Sequence, residues 1–299
     1  MAFSERKAGE VFSIRHTTRL PAKVFSKASC YTQITMKIIS WNVNGFRALD
    51  RKGDFDTLLL EKYDLILLQE TKVEEEQLPK DFNERIALAG YVHTSVHASS
   101  ERKGHAGSMT LSKTIPDEVI HGFEGKDSKW DQQGRTITLG FKELDCAVVN
   151  CYFPNGGSKS ASLEYKLGFY AAMLRHAKML EKKYATVIIA GDWNVCHHAI
   201  DIARPEANKK SIGFLPKERA WLTKFETEGW TDLWRHHNPD TSDVYTWWSY
   251  RAAARERNVG WRIDYIWSNT KSLVNIKNVE VLGNIMGSDH CPMRCEFVQ

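Results

Sequence analysis

Side chains able to do acid–base or metal chemistry fall at the ends of apolar runs in this sequence. Thr186-Val187-Ile188-Ile189-Ala190 is short, apolar and β-branched, the pattern of a buried strand, and it runs through Gly191 into Asp192 and Asn194. Residues two apart on an extended chain point the same way. This spacing therefore predicts that both face one pocket at the carboxyl end of a strand, where ligands of open α/β sheets bind. A strand closed by an Asx turn is the plainer reading of the same residues. The pattern recurs: Asn42 ends one apolar run, Glu70 ends another, Asp289 and His290 precede a third, and Asp264 stands among Trp, Ile and Tyr. Buried strands rarely carry carboxylates without a partner. Acids gathered at one sheet end repel each other unless a cation neutralises them, and oxygen ligands favour Mg²⁺ or Mn²⁺ over zinc. A His among carboxylates can be held protonated. Such a set suits attack by water on a phosphodiester.

Each piece also has a bland reading. Glu70 serves equally as a helix N-terminal acid near Thr71. Asp264 serves as a structural partner of Arg262 or of a backbone amide. Asp289-His290 serves as a turn. That all are bland together is the less economical explanation.

The elements that position these groups alternate between strand and helix. Strands are expected at 38–43, 64–70, 108–112, 136–141, 147–153, 186–190, 261–267 and 279–282, with a last one running through Phe297. Helices are expected at 55–62, 163–184 and 217–228; in the second, Leu163, Leu167, Tyr170, Leu174, Ala177 and Leu180 recur at steps of three and four. Residues 201–217 read as a loop. No composition break divides 36–299, which reads as one domain whose sheets lie buried between helices.

With 42% hydrophobic residues, the 299-residue chain can bury a sizeable core. No apolar run reaches the roughly 18–20 residues needed to span a bilayer. Residues 1–35 contain six basic and two acidic residues and so carry the whole formal charge of +4, leaving 36–299 neutral. Any nucleic-acid binding by the main domain must use a local basic patch. The extension lacks a secretory apolar stretch; a mis-assigned start ahead of Met36, an organellar transit peptide and a basic arm all remain open for it. The six Cys form no CxxC pair and read as reduced thiols of an intracellular protein.

Six runs together, Ser40-Trp41-Asn42-Val43-Asn44-Gly45-Phe46-Arg47-Ala48, Leu68-Gln69-Glu70-Thr71-Lys72, Gly191-Asp192-Trp193-Asn194-Val195, Gly213-Phe214-Leu215-Pro216-Lys217-Glu218-Arg219, Asn258-Val259-Gly260-Trp261-Arg262-Ile263-Asp264-Tyr265 and Gly287-Ser288-Asp289-His290-Cys291-Pro292, resemble the exonuclease III family of apurinic/apyrimidinic (AP) endonucleases, in order and from Met36 to about Phe297. The resemblance implies a four-layer α/β sandwich, two packed mixed sheets flanked by helices. It implies a monomeric, Mg²⁺-dependent enzyme (Mn²⁺ as substitute) that cleaves double-stranded DNA 5′ to an abasic site, with 3′-phosphodiesterase or 3′→5′ exonuclease side activity and no membrane partner. By the same resemblance Glu70, Asn42 and Asp289 surround the metal. Asp192 activates or orients water, Asn194 helps hold it, His290 contacts the scissile phosphate and is oriented by Asp264, and Tyr152 lies near that phosphate. Asn155 and Asn208 contact the DNA backbone. Trp247, Trp261 and Ile263 match the family's pocket for a base-less sugar; an apolar wall fits a deoxyribose without its base. Arg47, Lys52, Lys103, Lys209, Lys210 and Arg251 fall in loops suited to grip phosphates.

The chain departs from the family at three places. Ser158 stands where some relatives carry an Arg, Gln133 where Glu is usual, and His105-Ala106-Gly107-Ser108 where a Tyr-Ser-Gly pattern is commoner. Phosphatases, sphingomyelinases and deadenylases share the metal core but not the Gly260–Asp264 run or Trp247. A DNA-binding role without catalysis is disfavoured because no catalytic position is lost.

Overall fold

Alternation along single strands decides the layering. Ile38 and Ile39 are both fully buried, on opposite faces: Ile38 joins a core between two sheets, and Ile39 joins one beneath helices. The computed structural model describes residues 34–157 and 160–299, apart from the side chains of 160 and 161. Most of the 1–35 extension, and Ser158, lie outside the described residues.

In chain order the described strands are β1 (Thr35–Asn42), β2 (Leu65–Gln69), β3 (His93–His97), β4 (Ser108–Ser112), β5 (Glu118–His121), β6 (Thr136–Phe141), β7 (Cys146–Tyr152), β8 (Thr186–Asp192), β9 (Trp230–Asp232), β10 (Asp264–Asn269), β11 (Ile276–Val281) and β12 (Met293–Val298). The α-helices are α1 (Phe46–Arg51), α2 (Asp54–Leu60), α3 (Phe82–Leu88), α4 (Ser160–Glu181), α5 (Pro205–Asn208), α6 (Pro216–Thr227) and α7 (Leu233–His237). One sheet has the order β11-β12-β1-β2-β4-β3 and the other β5-β6-β7-β8-β10-β9. Only β1/β2 and β7/β8 run parallel, so both sheets are mixed. Each parallel pair needs a helical crossover: α1 and α2 supply the first, α4 the second.

Ile38, Leu65 and Leu67 meet Ile137, Leu139, Val148, Ile188 and Ile266 between the sheets. Ile39, Trp41, Ile66 and Leu68 turn outward to Phe46, Phe55 and Phe82 of α1, α2 and α3. On the far side Val149, Val187 and Ile189 pack against Phe169, Tyr170, Met173 and Leu180 of α4 and against Leu222 and Phe225 of α6. The result is four layers: helices, sheet, sheet, helices. Among the described residues no helix is long and apolar enough to cross a membrane.

Several elements differ from the sequence expectation. The 261–267 strand begins three residues late, at Asp264, because Trp261 pairs with Trp247 and Ile263 N–H donates to Thr246 Oγ1 instead of to a ladder carbonyl. The 201–217 loop contains α5, opened by Pro205. Strands β3, β5 and β9, and helices α1, α3 and α7, are additions.

Candidate active site

Parallel and antiparallel pairing bring chemistry-bearing residues into one row. In the second sheet Tyr152 pairs with Asp192, and Asp192 pairs with Asp264 across β8 and β10. Two carboxylates thus sit directly opposite each other, a destabilising arrangement unless a cation lies between them. His290 supplies it: Nδ1 bonds Asp264 Oδ2 at 2.8 Å, and Nε2 lies 3.8 Å from Asp192 Oδ2. These three side chains, all buried, are also close enough together to hold a metal ion. Burial works against the imidazolium, but Asp264 and Asp192 outweigh it and raise the His290 pKa to about 10. Burial, opposed by His290 and reinforced by Asp264, pushes Asp192 up to about 7.

The backbone that places His290 is itself tied down. Trp41 Nε1 donates to the His290 carbonyl at 3.1 Å, and Ser288 Oγ donates to the Asn42 carbonyl at 2.8 Å. Thr246 Oγ1 accepts from the amides of Ile263 and Asp264, both at 3.0 Å, and so fixes the start of β10.

The first sheet contributes Asn42 and Glu70. Asn42 Nδ2 donates to Asp192 Oδ2 at 2.8 Å and to Glu70 Oε2 at 3.1 Å, stitching the two sheets together. Its Oδ1 accepts from Asn44 N–H. Asn42 thus presents its N–H to the two carboxylates and its oxygen to the backbone. Glu70 Oε1 pairs with Lys72 Nζ at 2.9 Å, Lys72 Nζ reaches Asn44 Oδ1 at 2.6 Å, and Asn44 Nδ2 reaches Asp289 Oδ1 at 2.9 Å. The other Asp289 oxygen accepts from Trp247 Nε1 at 3.0 Å. Asn44 and Lys72 are site residues beyond the sequence candidates. Asn44 shares the first motif with Asn42, and Lys72 follows Glu70 by two, so spacing alone could have found them.

A pocket of about 310 Å³ opens over these groups, lined by Asn44, Glu70, Tyr152, Asn155, Asp192, Asn194, Ile212, Gly213, Trp247, Trp261, Ile263, Asp289 and His290. Asn44, Glu70 and Asn194 line it from left-handed backbone, at φ 47, 52 and 54°. Such conformations cost about 1–3 kcal/mol each in non-glycine residues, comparable to what burying one Leu or Ile contributes. Asn194 reaches the pocket by this twist and not by continuing the strand. Its N–H donates to Asp192 Oδ1 at 2.8 Å, an Asx turn, and its Nδ2 donates to Asp192 Oδ2 at 3.2 Å. The functional and the plain readings of this segment are thus one structure. Gly191 makes the turn possible, because a Cβ there would lie 1.8 Å from the Cys151 carbonyl oxygen.

These geometries meet a decisive match: residues 39–290 fit the model of the Endonuclease/Exonuclease/phosphatase family. The chain belongs to this family. It is similar to an exodeoxyribonuclease of Bacillus subtilis, 40% identical over 86% of this chain and 98% of that protein. The DNA repair nuclease APEX1 of Danio rerio is 36% identical over 91% of this chain and 85% of that one. Among solved structures, an AP endonuclease from Archaeoglobus fulgidus superposes with a TM-score of 0.76 at 27% identity, covering 88% of this chain and 99% of that one.

The pocket gathers Tyr152, Asn155, Asn194, Trp247, Trp261 and Ile263 with the acids. The Trp247 and Trp261 rings meet edge to face at 5.9 Å and, with Ile263, pack on Cys196, Ile202 and Phe214. Arg135 lies on the Tyr152 ring and is held by Gln133, whose Oε1 accepts from its Nε and Nη2. The other expected contacts stand outside the pocket. Asn208 turns its amide to the carbonyls of Ala203 and Arg204. Lys103 pairs with Glu74, Lys209 with Glu206, and Lys52 donates to the Gly287 carbonyl. Arg47 lines a separate cleft with Arg51 and Lys72, and Lys210 and Arg251 are exposed. Asp264 is not the partner of Arg262, which instead pairs with Asp201 and Asp232.

Proposed function

We propose that this chain is a Mg²⁺-dependent AP endonuclease, hydrolysing the DNA phosphodiester 5′ to an abasic site to leave a 3′-hydroxyl, with 3′-phosphodiesterase or 3′→5′ exonuclease side activity. The observation that carries the reading is the Asp264–His290–Asp192 row opening onto a pocket walled by Trp247, Trp261 and Ile263. Asp192, raised to about 7, is poised to take a proton from water near neutral pH. Asn194 and Asn42, both donating to it, fix the lone pair that faces the water. His290, held cationic by Asp264, offers its Nε2 proton to a phosphate oxygen and stabilises the growing charge. Tyr152 stays protonated, because burial and the charge of Glu70 raise its pKa, and so acts as a hydrogen-bond donor.

Glu70 and Asp289 would hold the divalent ion. Their set fits one: Lys72 already brings a positive charge between Glu70 and Asn44 on the Asp289 side, and every donor there is a hard oxygen. Bound there, Mg²⁺ supplies Lewis-acid stabilisation of the phosphoryl oxygens. The Trp wall selects a sugar lacking its base, Asn155 and Asn208 touch the backbone, and Arg47, Lys52, Lys103, Lys209, Lys210 and Arg251 grip flanking phosphates. We take the enzyme to act as a monomer. Residues 36–299 form the catalytic domain, with 1–35 an extension of separate role, and the free thiols fit a reducing compartment.

A strand-incision assay tests this on abasic, 3′-phosphate and undamaged duplexes with Mg²⁺ or EDTA. Mg²⁺-dependent cutting 5′ to the abasic site is expected. Turnover of a phosphoinositide but of no duplex would overturn it.

A further inference from the structure

A second cluster lies behind the catalytic loop. His197 and His198 follow Asn194 by three and four residues, and their ring centroids lie 3.8 Å apart, the planes tilted by 35°, instead of pointing apart as neighbours on an extended chain do. A nitrogen from each, and a carboxylate oxygen of Glu226 on α6, lie within 4.8 Å of one another.

His197 Nε2 shares a 2.9 Å hydrogen bond with Thr223 Oγ1. Nδ1 is buried, has no hydrogen-bond partner, and lies 3.7 Å from Oε1 of the exposed Glu226. A buried polar atom left without a partner costs free energy, and a cation between this nitrogen and the carboxylate would supply one. The nearby guanidiniums are committed elsewhere, Arg262 and Arg235 to Asp201, and Arg219 to the His197 carbonyl.

We propose that His197, His198 and Glu226 form a site for a borderline transition-metal ion of the Zn²⁺ class, separate from the oxygen-lined catalytic pocket. Two imidazoles and a carboxylate are a zinc-type set, not a magnesium one. Donors sharing a tetrahedral zinc lie about 3.4 Å apart, close to the spacing of Nδ1 and Oε1, and the partly exposed His198 and exposed Glu226 can swing in by rotamer change. The Thr223 bond orients His197 from the side away from the ion, as outer partners of ligating histidines do. An ion here would staple the segment after Asn194 to α6.

The test uses full-length protein stripped of metal, with excess Mg²⁺ filling hard-oxygen sites and Co²⁺ as the spectroscopic stand-in for Zn²⁺. Wild type should bind one Co²⁺ with visible d–d bands of low coordination number, displaced by Zn²⁺. His198→Ala and Glu226→Gln should each weaken that binding roughly tenfold or more, with folding checked by circular dichroism. Absence of the bands in wild type, or bands of equal affinity in wild type and both variants, would overturn the site.

Discussion

Asp192 and Asp201 are nine residues apart, both carboxylates, both fully buried, and they behave in opposite ways. Asp192 is pushed up to about 7 by burial, which His290 opposes and Asp264 across from it reinforces. For Asp201 burial acts in the same direction but is overwhelmed, and the guanidiniums of Arg262 and Arg235 hold it well below the usual carboxylate range. Arg262 binds Asp201 with Nε and Nη2, at 2.8 and 2.9 Å, and also reaches Asp232 at 2.7 Å. Its planar head lies between Trp234 and Tyr265. One network has fewer cations than acids and opens on a pocket. The other is closed and matched. Burial alone therefore does not mark a catalytic acid; burial with an incomplete set of partners does.

The comparison is sharpest under substitution. Asp192→Asn should lower kcat by about 10²–10⁴-fold, the usual scale for losing a general base, with affinity for abasic DNA largely kept. Removing a buried charge opposed by Asp264 should leave the unfolding midpoint unchanged or raise it. Single-turnover incision and denaturant unfolding on one preparation measure both, and unchanged turnover would refute the assignment. Arg262→Met should do the reverse. It strands Asp201 and Asp232 without their main cation and should cost about 3–5 kcal/mol of stability, as breaking a buried pair does. Turnover per folded molecule should change far less. An Arg262→Met enzyme of native midpoint but no activity would show that the two networks are not separate.

The sequence carried the layers well, because apolar runs such as Val187–Ala190 and Leu65–Leu68 are buried on both faces and read the same in any context. It carried acids too, since Glu70 and Asp192 each end such a run. Edge strands were not legible: His93–His97 and Glu118–His121 are half polar, and only pairing with β4 and β6 makes them strands. Long-range partners were invisible for the same reason. Lys166 reads as a surface lysine of α4, yet it is fully buried, its ammonium bonded to Glu218 and to the Asn194 carbonyl. The late start of the 261–267 strand has a similar cause, a tie from Ile263 and Asp264 to Thr246, distant in sequence.

The smallest effect is also the most specific. If Asp264 acts by holding His290 cationic, then Asp264→Ala should alter the pH profile more than the plateau. In the wild type the folded pKa of His290 is raised to about 10, so the imidazolium persists across the neutral range and is lost only as pH climbs past that value. Without Asp264 the cost of burying the imidazolium meets only Asp192 and Asp289 in opposition, and the pKa must fall. The alkaline limb of kcat should then move to lower pH, with activity best preserved on the acid side. The same sign holds for stability: a raised His pKa stabilises fully below the unfolded value of about 6.5 and ceases to do so as pH rises through the folded one. Asp264→Asn, which keeps a hydrogen bond to Nδ1 but not the charge, should shift the limb as far as Ala does if charge is what matters. If Asn restores the wild-type limb, Asp264 orients the ring and does not set its proton.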